Sequence, residues 1–389
     1  VLGAGLMGAG IAQLAVYNGY DVRLKDKNEQ GLGWGLNYIK GLLDKLVERR
    51  RITAPIADVY FGRVSATTTY EGFKSCDLVI EAVYENLELK QQIIADLEEL
   101  GGDHQVIASN TSTLPIKSIA EHAKHPQNIL GMHFFSPVHK MPLLEIIRTD
   151  QTTNRAVATA LEVGRKMGKT CIVVDDGPGF FTSRVIGAYI NEAGWILQEG
   201  ARIEDIDQAM VAFGFPVGPM KLVDEVGIDV ALKAAGVLKD AFSKRWDAPD
   251  ALTTIAAEGR QGRKNKKGFY LYNGKSKQID ETVYDLMPSG RERLAVDREL
   301  VQQRCWLAML NECAYCLQEG ITSSPRDVDI GVIFGLGFPP FRGGILRHAD
   351  HVGLDRIVDQ MNSLADQFGE RLRPADLLVK KAGKGQTFY

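Results

Sequence analysis

Along residues 1–175, short β-rich runs alternate with amphipathic stretches. The runs are Asp21-Val22-Arg23-Leu24, Leu78-Val79-Ile80, Val106-Ile107-Ala108 and Cys171-Ile172-Val173-Val174, and Leu87 to Leu100 is one of the helical stretches between them. This alternation predicts βαβ units around a largely parallel sheet. Asn128 to Phe135 and Leu143 to Arg148 also read as strands, with Pro137 and Pro142 in the turn that joins them. Paired as a hairpin centred near His139, they would set His133 opposite Glu145. Asp176-Gly177-Pro178-Gly179 then breaks the pattern, and the texture beyond it is mostly helical.

The helical part repeats itself. Arg184, Ala188, Asn191-Glu192 and Leu197-Gln198-Glu199-Gly200 recur in the same spacing as Arg304, Ala308, Asn311-Glu312 and Leu317-Gln318-Glu319-Gly320. Gly214-Phe215-Pro216 is echoed by Gly337-Phe338-Pro339, and Gly227-Ile228-Asp229 by Gly353-Leu354-Asp355. So many identities in one order imply a duplicated helical domain. The polar stretch from Asn273 to Glu292, with Gly274-Lys275-Ser276-Lys277 and Pro288-Ser289-Gly290, reads as the linker. The expected organisation is 1–175, 176–272, a linker at 273–295, and 296–389.

Composition narrows the classes. The 389 residues are enough for two or three domains, and 45% apolar with 24% charged is the balance of a soluble globular chain. A net charge of −3 argues against a nucleic-acid binder, although a local basic patch could still meet a few phosphates. No apolar stretch reaches the roughly 18 residues of a membrane span. The five cysteines are scattered without a disulfide framework, which fits a reducing compartment. Cys313 and Cys316 form a C-x-x-C pair on a helix that reads as partly buried, so packing is favoured over metal or redox use, and no metal is expected. Val1-Leu2 runs straight into a glycine-rich turn, whereas a buried first strand needs about five residues. The chain is therefore expected to be a fragment of a longer one.

Gly3-Ala4-Gly5-Leu6-Met7-Gly8 has the G-x-G-x-x-G spacing. Alone it could be a turn with no nucleotide. Here a strand remnant precedes it, a helix containing Ile11-Ala12-Gln13-Leu14-Ala15 follows, and Asp26 ends the next strand. Gly3, Gly5 and Gly8 would let the backbone turn tightly under a pyrophosphate seated on the helix N-terminus. Asp26 would accept from the adenosine ribose hydroxyls and repel a 2′-phosphate, favouring NAD over NADP, with Lys25 and Lys27 moderating the preference. The fold class expected is α/β: a Rossmann-type dinucleotide-binding domain followed by two duplicated all-α domains.

A histidine facing a carboxylate has the chemistry of a general base, because the carboxylate fixes the tautomer and stabilises the imidazolium. Pattern alone leaves a structural and a catalytic His133 about equally open. Lys40, Lys45, Arg49, Arg50 and Arg51, on a probable helix after the second strand, read first as a solvated face and second as a contact for phosphates.

Ser109-Asn110-Thr111-Ser112, His133-Phe134-Phe135-Ser136-Pro137, Leu143-Leu144-Glu145-Ile146-Ile147, Gly5-Leu6-Met7-Gly8 and Ile80-Glu81-Ala82-Val83-Tyr84-Glu85-Asn86-Leu87 together resemble the 3-hydroxyacyl-CoA dehydrogenase family. The likeness runs through essentially the whole chain. The duplicated tail, Gly262-Arg263-Lys264-Asn265-Lys266-Lys267-Gly268-Phe269-Tyr270 and Phe334-Gly335-Leu336-Gly337-Phe338-Pro339-Pro340 are similar to the α subunits of multifunctional bacterial and mitochondrial β-oxidation enzymes.

The resemblance implies an L-3-hydroxyacyl-CoA dehydrogenase that uses NAD. It makes His133 the base, Glu145 its partner, and Ser112 the serine between substrate and nicotinamide. It places Met7, Val83, Glu85, Lys90, Ser112 and Ser136 with Gly3, Gly5, Gly8 and Asp26 around the dinucleotide, and Ser183 with Ser112 at the substrate. Ser136 and Ser183 stand where relatives commonly carry asparagine, and the shorter hydroxyl has less reach. The resemblance further implies an acyl-CoA substrate, an enoyl-CoA hydratase region before Val1, a thiolase partner subunit, and the bacterial cytoplasm or the mitochondrial matrix. Two rivals stand beside this reading. A free-standing short-chain 3-hydroxybutyryl-CoA dehydrogenase is disfavoured because single-function relatives need only one helical repeat. A non-catalytic NAD-binding relative is disfavoured by the joint presence of His133, Glu145 and Ser112.

Overall fold

The computed structural model describes residues 1–101, 104–243, 245–274 and 276–389; Lys275 of the expected linker lies outside them. It separates into two compact units, Val1–Phe180 and Phe181–Tyr389.

In the first unit, α1 (Leu6–Tyr17), β1 (Val22–Lys25), α2 (Glu29–Glu48), α3 (Ala54–Gly62), β2 (Val64–Thr67), β3 (Leu78–Glu81), α4 (Leu87–Gly101), β4 (Val106–Ser109), α5 (Ile116–Ile119), β5 (Ile129–Phe134), β6 (Leu143–Arg148), α6 (Asn154–Lys166) and β7 (Thr170–Asp175) follow in order. β1 pairs with β2, and β3 to β7 lie side by side in chain order. Leu2 bridges Lys25 and Glu81 in parallel, so the two residues before the glycine turn join β1 to β3 and complete one sheet. Every named pairing in this sheet is parallel except β5 with β6. β5 is buried at all six positions, as a strand covered on both faces must be.

Small residues set the closest approaches. Gly8, Ala9, Gly10 and Ala12 are buried along α1. Asn28 caps α2 by accepting from the Gly31 amide, and a Cβ at Gly35 would come within 2.7 Å of Ala4. α4 buries Lys90, Ile93, Ile94, Leu97 and Gly101, the helical stripe expected over that stretch. β2 escaped the sequence reading because it is a short edge strand whose two central residues are exposed.

The second unit holds α7 (Thr182–Gln198), α8 (Ile203–Phe213), α9 (Pro219–Val226), α10 (Ile228–Ala241) and α11 (Ala251–Ala257). A hairpin of β8 (Tyr270–Asn273) with β9 (Ser276–Ile279) follows. Then come α12 (Arg298–Gln318), α13 (Pro325–Leu336), α14 (Ile345–Val352), α15 (Leu354–Phe368) and α16 (Asp376–Gly383).

The repeats are joined reciprocally. Arg184 of α7 bonds Glu312 (2.6 Å) and Glu319 (2.8 Å) at the other repeat, and Arg304 of α12 bonds Glu192 (2.6 Å) and Glu199 (2.5 Å). Both guanidiniums are buried, and a buried charge is tolerable only when paired. The duplication also reaches the last residues. Asp207 accepts from the amides of Met220 and Lys221 and the Tyr270 hydroxyl, while Asp329 accepts from Leu346, Arg347 and Tyr389 in the same way. The 273–295 stretch contributes β9 and buries Val283, Tyr284 and Met287, so much of it is built into this unit. Cys313 and Cys316 lie buried in α12, and burial pushes both thiols up.

Candidate active site

The glycine turn at the start of α1 has the features a pyrophosphate needs. Gly3 sits at φ +92, where a side chain would be strained, and a Cβ there would meet the Ala82 carbonyl at 2.6 Å. A Cβ at Gly8 would fall 1.8 Å from the Gly3 carbonyl oxygen, so the helix can start here only with glycine. A Cβ at Gly5, by contrast, would meet nothing within 4 Å, and no side chain caps the α1 N-terminus that Gly5 begins. Open space at an uncapped helix start suits an anion.

Asp26 closes this turn. Its Oδ2 accepts from the Ala4 amide and its Oδ1 from the Lys27 amide, each at 2.7 Å. A Cβ at Gly31 would come within 2.5 Å of the carboxylate, so α2 leaves it room. Each oxygen keeps a second lone pair for a ribose hydroxyl. These residues fit the dinucleotide that the sequence implied.

A second cluster stands on β3 and α4. Lys90 is 1% exposed and donates to both oxygens of Glu81 at 2.9 Å, with Glu85 at 3.2 Å. Glu81 also accepts from Ser109 and from the Val83 amide, while Glu85 accepts from the Thr111 hydroxyl and the Ser112 amide. Burial opposes ionisation of Glu85, but Lys90 and these donors outweigh it and hold the carboxyl below its usual range. Lys90 is thus committed to two carboxylates, and a direct cofactor contact would require one of them to give way. Its geometry is that of a support for the Val83 and Ser112 segments.

His133 and Glu145 face each other across β5 and β6, in the register Gly131↔Ile147, Met132↔Ile146, His133↔Glu145, Phe134↔Leu144. Nδ1 of His133 lies 2.9 Å from Oε2 of Glu145, which is fully buried. The Phe135 ring sits 4.5 Å from the imidazole, centre to centre, and Phe180 6.2 Å. Asn110, just after β4, accepts from the Phe134 amide and so ties the Ser112 segment to the His133 strand. A buried imidazole whose Nδ1 is held by a carboxylate can abstract a hydroxyl proton through its other nitrogen.

The first unit therefore carries Gly3, Gly5, Met7, Gly8, Asp26, Val83, Glu85, Lys90, Ser112, His133, Ser136 and Glu145. Ser112 is half-buried and Ser136 exposed in the loop after β5. Ser183 belongs to the second unit, on the first turn of α7. Lys40, Lys45, Arg49, Arg50 and Arg51 are all exposed on α2 and the turn after it. Glu81, Asn110 and Lys169 were not singled out from sequence. Glu81 and Asn110 could have been read as polar residues ending two adjacent buried strands, but nothing distinguishes Lys169 from a solvated lysine before a strand. Among the described residues, no group of His, Cys, Asp and Glu could hold a metal ion, and no helix is long and apolar enough to cross a membrane.

Residues 1–177 match the 3-hydroxyacyl-CoA dehydrogenase NAD binding domain, and residues 179–272 and 300–387 each match the C-terminal domain of that family. The fatty acid oxidation complex subunit alpha of Shewanella loihica is 47% identical over all of this chain, which spans 55% of that relative. A 3-hydroxybutyryl-CoA dehydrogenase from Escherichia coli K12 superposes with TM-score 0.88 at 26% identity, over 99% of this chain and 98% of that one. The dehydrogenase part of a multifunctional enzyme from C. elegans does so with TM-score 0.68 at 26% identity, over 98% and 88%. The E. coli likeness corrects one inference from sequence. The superposition takes in nearly the whole of both chains, so the second repeat does not by itself separate the two enzyme readings. With its NAD-binding domain and two copies of the C-terminal domain, the chain belongs to the 3-hydroxyacyl-CoA dehydrogenase family.

Proposed function

We propose that this chain oxidises (3S)-3-hydroxyacyl-CoA to 3-oxoacyl-CoA with NAD in fatty-acid β-oxidation, with His133 as the base. The buried His133–Glu145 pair, inside a domain of an NAD-binding family, carries this reading. With Nδ1 engaged by Glu145, Nε2 is the nitrogen left to take the substrate hydroxyl proton. As the ring becomes cationic, the Glu145 carboxylate balances the charge and keeps the ring's orientation. NAD, when bound, supplies the acceptor for the hydride leaving C3. Gly3, Gly5 and Gly8 would hold its pyrophosphate and Asp26 its ribose, while the Glu81–Lys90–Glu85 cluster fixes the neighbouring Val83 and Ser112 segments. Ser112 and Ser183 would hold the substrate oxygen, Ser183 with less reach than an asparagine. A multienzyme assembly with a thiolase-bearing partner, in the cytoplasm, is the setting favoured by the bacterial relatives named for a complex.

The test is His133→Ala. Turnover of acetoacetyl-CoA with NADH should fall about a hundred- to ten-thousandfold, while NADH affinity, read by fluorescence, stays close to that of the parent protein. Turnover like the parent's would sink the assignment. A second reading, confinement to four-carbon substrates, is favoured by the E. coli likeness. A profile of kcat/KM against acyl-chain length decides between them: a steep preference for four carbons selects the second.

A further inference from the structure

We propose that Lys169 is a positioning residue for this reaction, clamping the 135–142 connection that joins the His133 strand to the Glu145 strand. The proposal rests on the reading of His133 as the base. Lys169 immediately precedes β7 and is 8% exposed. Its Nζ donates to the Val138 carbonyl at 2.5 Å and to the Met141 carbonyl at 2.6 Å. Among the described residues no carboxylate pairs with it, so these two carbonyls, with the Phe134 ring 6.0 Å away, are what compensate a buried amine. A methionine would fill the same volume without the desolvation cost, so the amine is there for its donors.

What those donors hold is next to the chemistry. The connection begins with Phe135, whose ring lies against the His133 imidazole, and continues through Ser136, the candidate cofactor contact. Val138 is buried against α1, where a Cβ at Gly10 would stand 3.1 Å from it. Within the loop, the Pro137 carbonyl accepts from the Lys140 and Met141 amides, and the Pro142 carbonyl accepts from the Thr170 amide next to Lys169. The loop thus touches both the base and the helix that begins at the glycine turn. One amine ties its carbonyls on either side of His139-Lys140, so the loop cannot swing without breaking both bonds. Lys169 touches no reacting atom in this arrangement and acts through the loop.

The experiment compares Lys169→Met with the parent protein by hydrogen exchange without ligands and by steady-state kinetics. Exchange at the Lys140 and Met141 amides should quicken at least about tenfold, with the β3 and β4 amides unchanged. In the same variant kcat should fall about ten- to a hundredfold, while KM for NADH moves less than about threefold. Lys169→Gln, which keeps an N–H donor, should recover part of both losses, and it replaces the methionine variant if that fails to fold. Unchanged loop exchange overturns the proposal, and so does a loosened loop with parental kcat. His133→Ala, run in parallel, separates this from failure of the underlying reading: if it retains turnover, the base is wrong whatever Lys169 does.

Discussion

Glu145→Gln is the sharpest perturbation of the site. The substitution keeps size and shape in a fully buried position and removes the charge facing His133. At the observed 2.9 Å, an imidazolium and a carboxylate attract by at most about 6 kcal/mol at an effective dielectric of about 20. The amide returns part of this as a neutral hydrogen bond worth about 1 kcal/mol. If the amide instead presents its N–H to Nδ1, the ring is held in the wrong tautomer, and the comparable change in the serine-protease triad costs about 10⁴-fold. The net loss of about 3–5 kcal/mol corresponds to a kcat lower by roughly 10²–10⁴-fold. The imidazolium forms only as the hydroxyl proton is taken, so the loss should appear in kcat rather than in substrate KM. The assay is NADH formation from (3S)-3-hydroxybutyryl-CoA and NAD, with NADH affinity from fluorescence and folding from the melting transition. A kcat within about threefold of the parent, in a protein that melts normally, would refute the charge-balancing role.

Asp26→Ser should raise KM for NADH about ten- to a hundredfold, the worth of one charged hydrogen bond, and narrow the preference over NADPH; an unchanged ratio of the two cofactors' kcat/KM would contradict the ribose assignment. Arg184→Met should destabilise the second unit by about 3 kcal/mol in urea unfolding, since Glu312 is left buried with Arg245 as its remaining cation, at 3.6 Å. An unchanged unfolding midpoint would remove the reciprocal ion pairs from the account of how the repeats join. Burial lowers the Lys169 amine from its ordinary 10.5 to about 8. Between those values the unfolded chain binds the extra proton, so stability should rise with pH from about 8 to 10.5. Lys169→Met should flatten that rise relative to the parent, and parallel stability curves would count against it.

Much of the His133–Glu145 pairing was legible in the chain itself. Strands alternate with period two, so two strand-like runs joined by a proline-bounded turn leave few registers, and the one centred near His139 sets His133 against Glu145. The glycine turn was legible for a similar reason, since the φ of Gly3 and the contact at Gly8 admit no side chain. The repeat was visible as spacing, but its chemistry was not. Arg184 and Glu192 are eight residues apart on one helix, about 12 Å along its axis, too far to bond. Each arginine therefore takes its glutamate from the other repeat, and packing alone decides that. Burial likewise gives Lys90, which the family likeness put beside the cofactor, its pairing with Glu81 and Glu85. The 273–295 stretch read as a linker because it is polar and holds Gly274 and Pro288-Ser289-Gly290, while in the structure Val283, Tyr284 and Met287 are buried. Lys169 is the clearest case. Local sequence makes it a surface lysine; only the closure of β7 against the β5–β6 loop takes it out of water and gives it two carbonyls to hold.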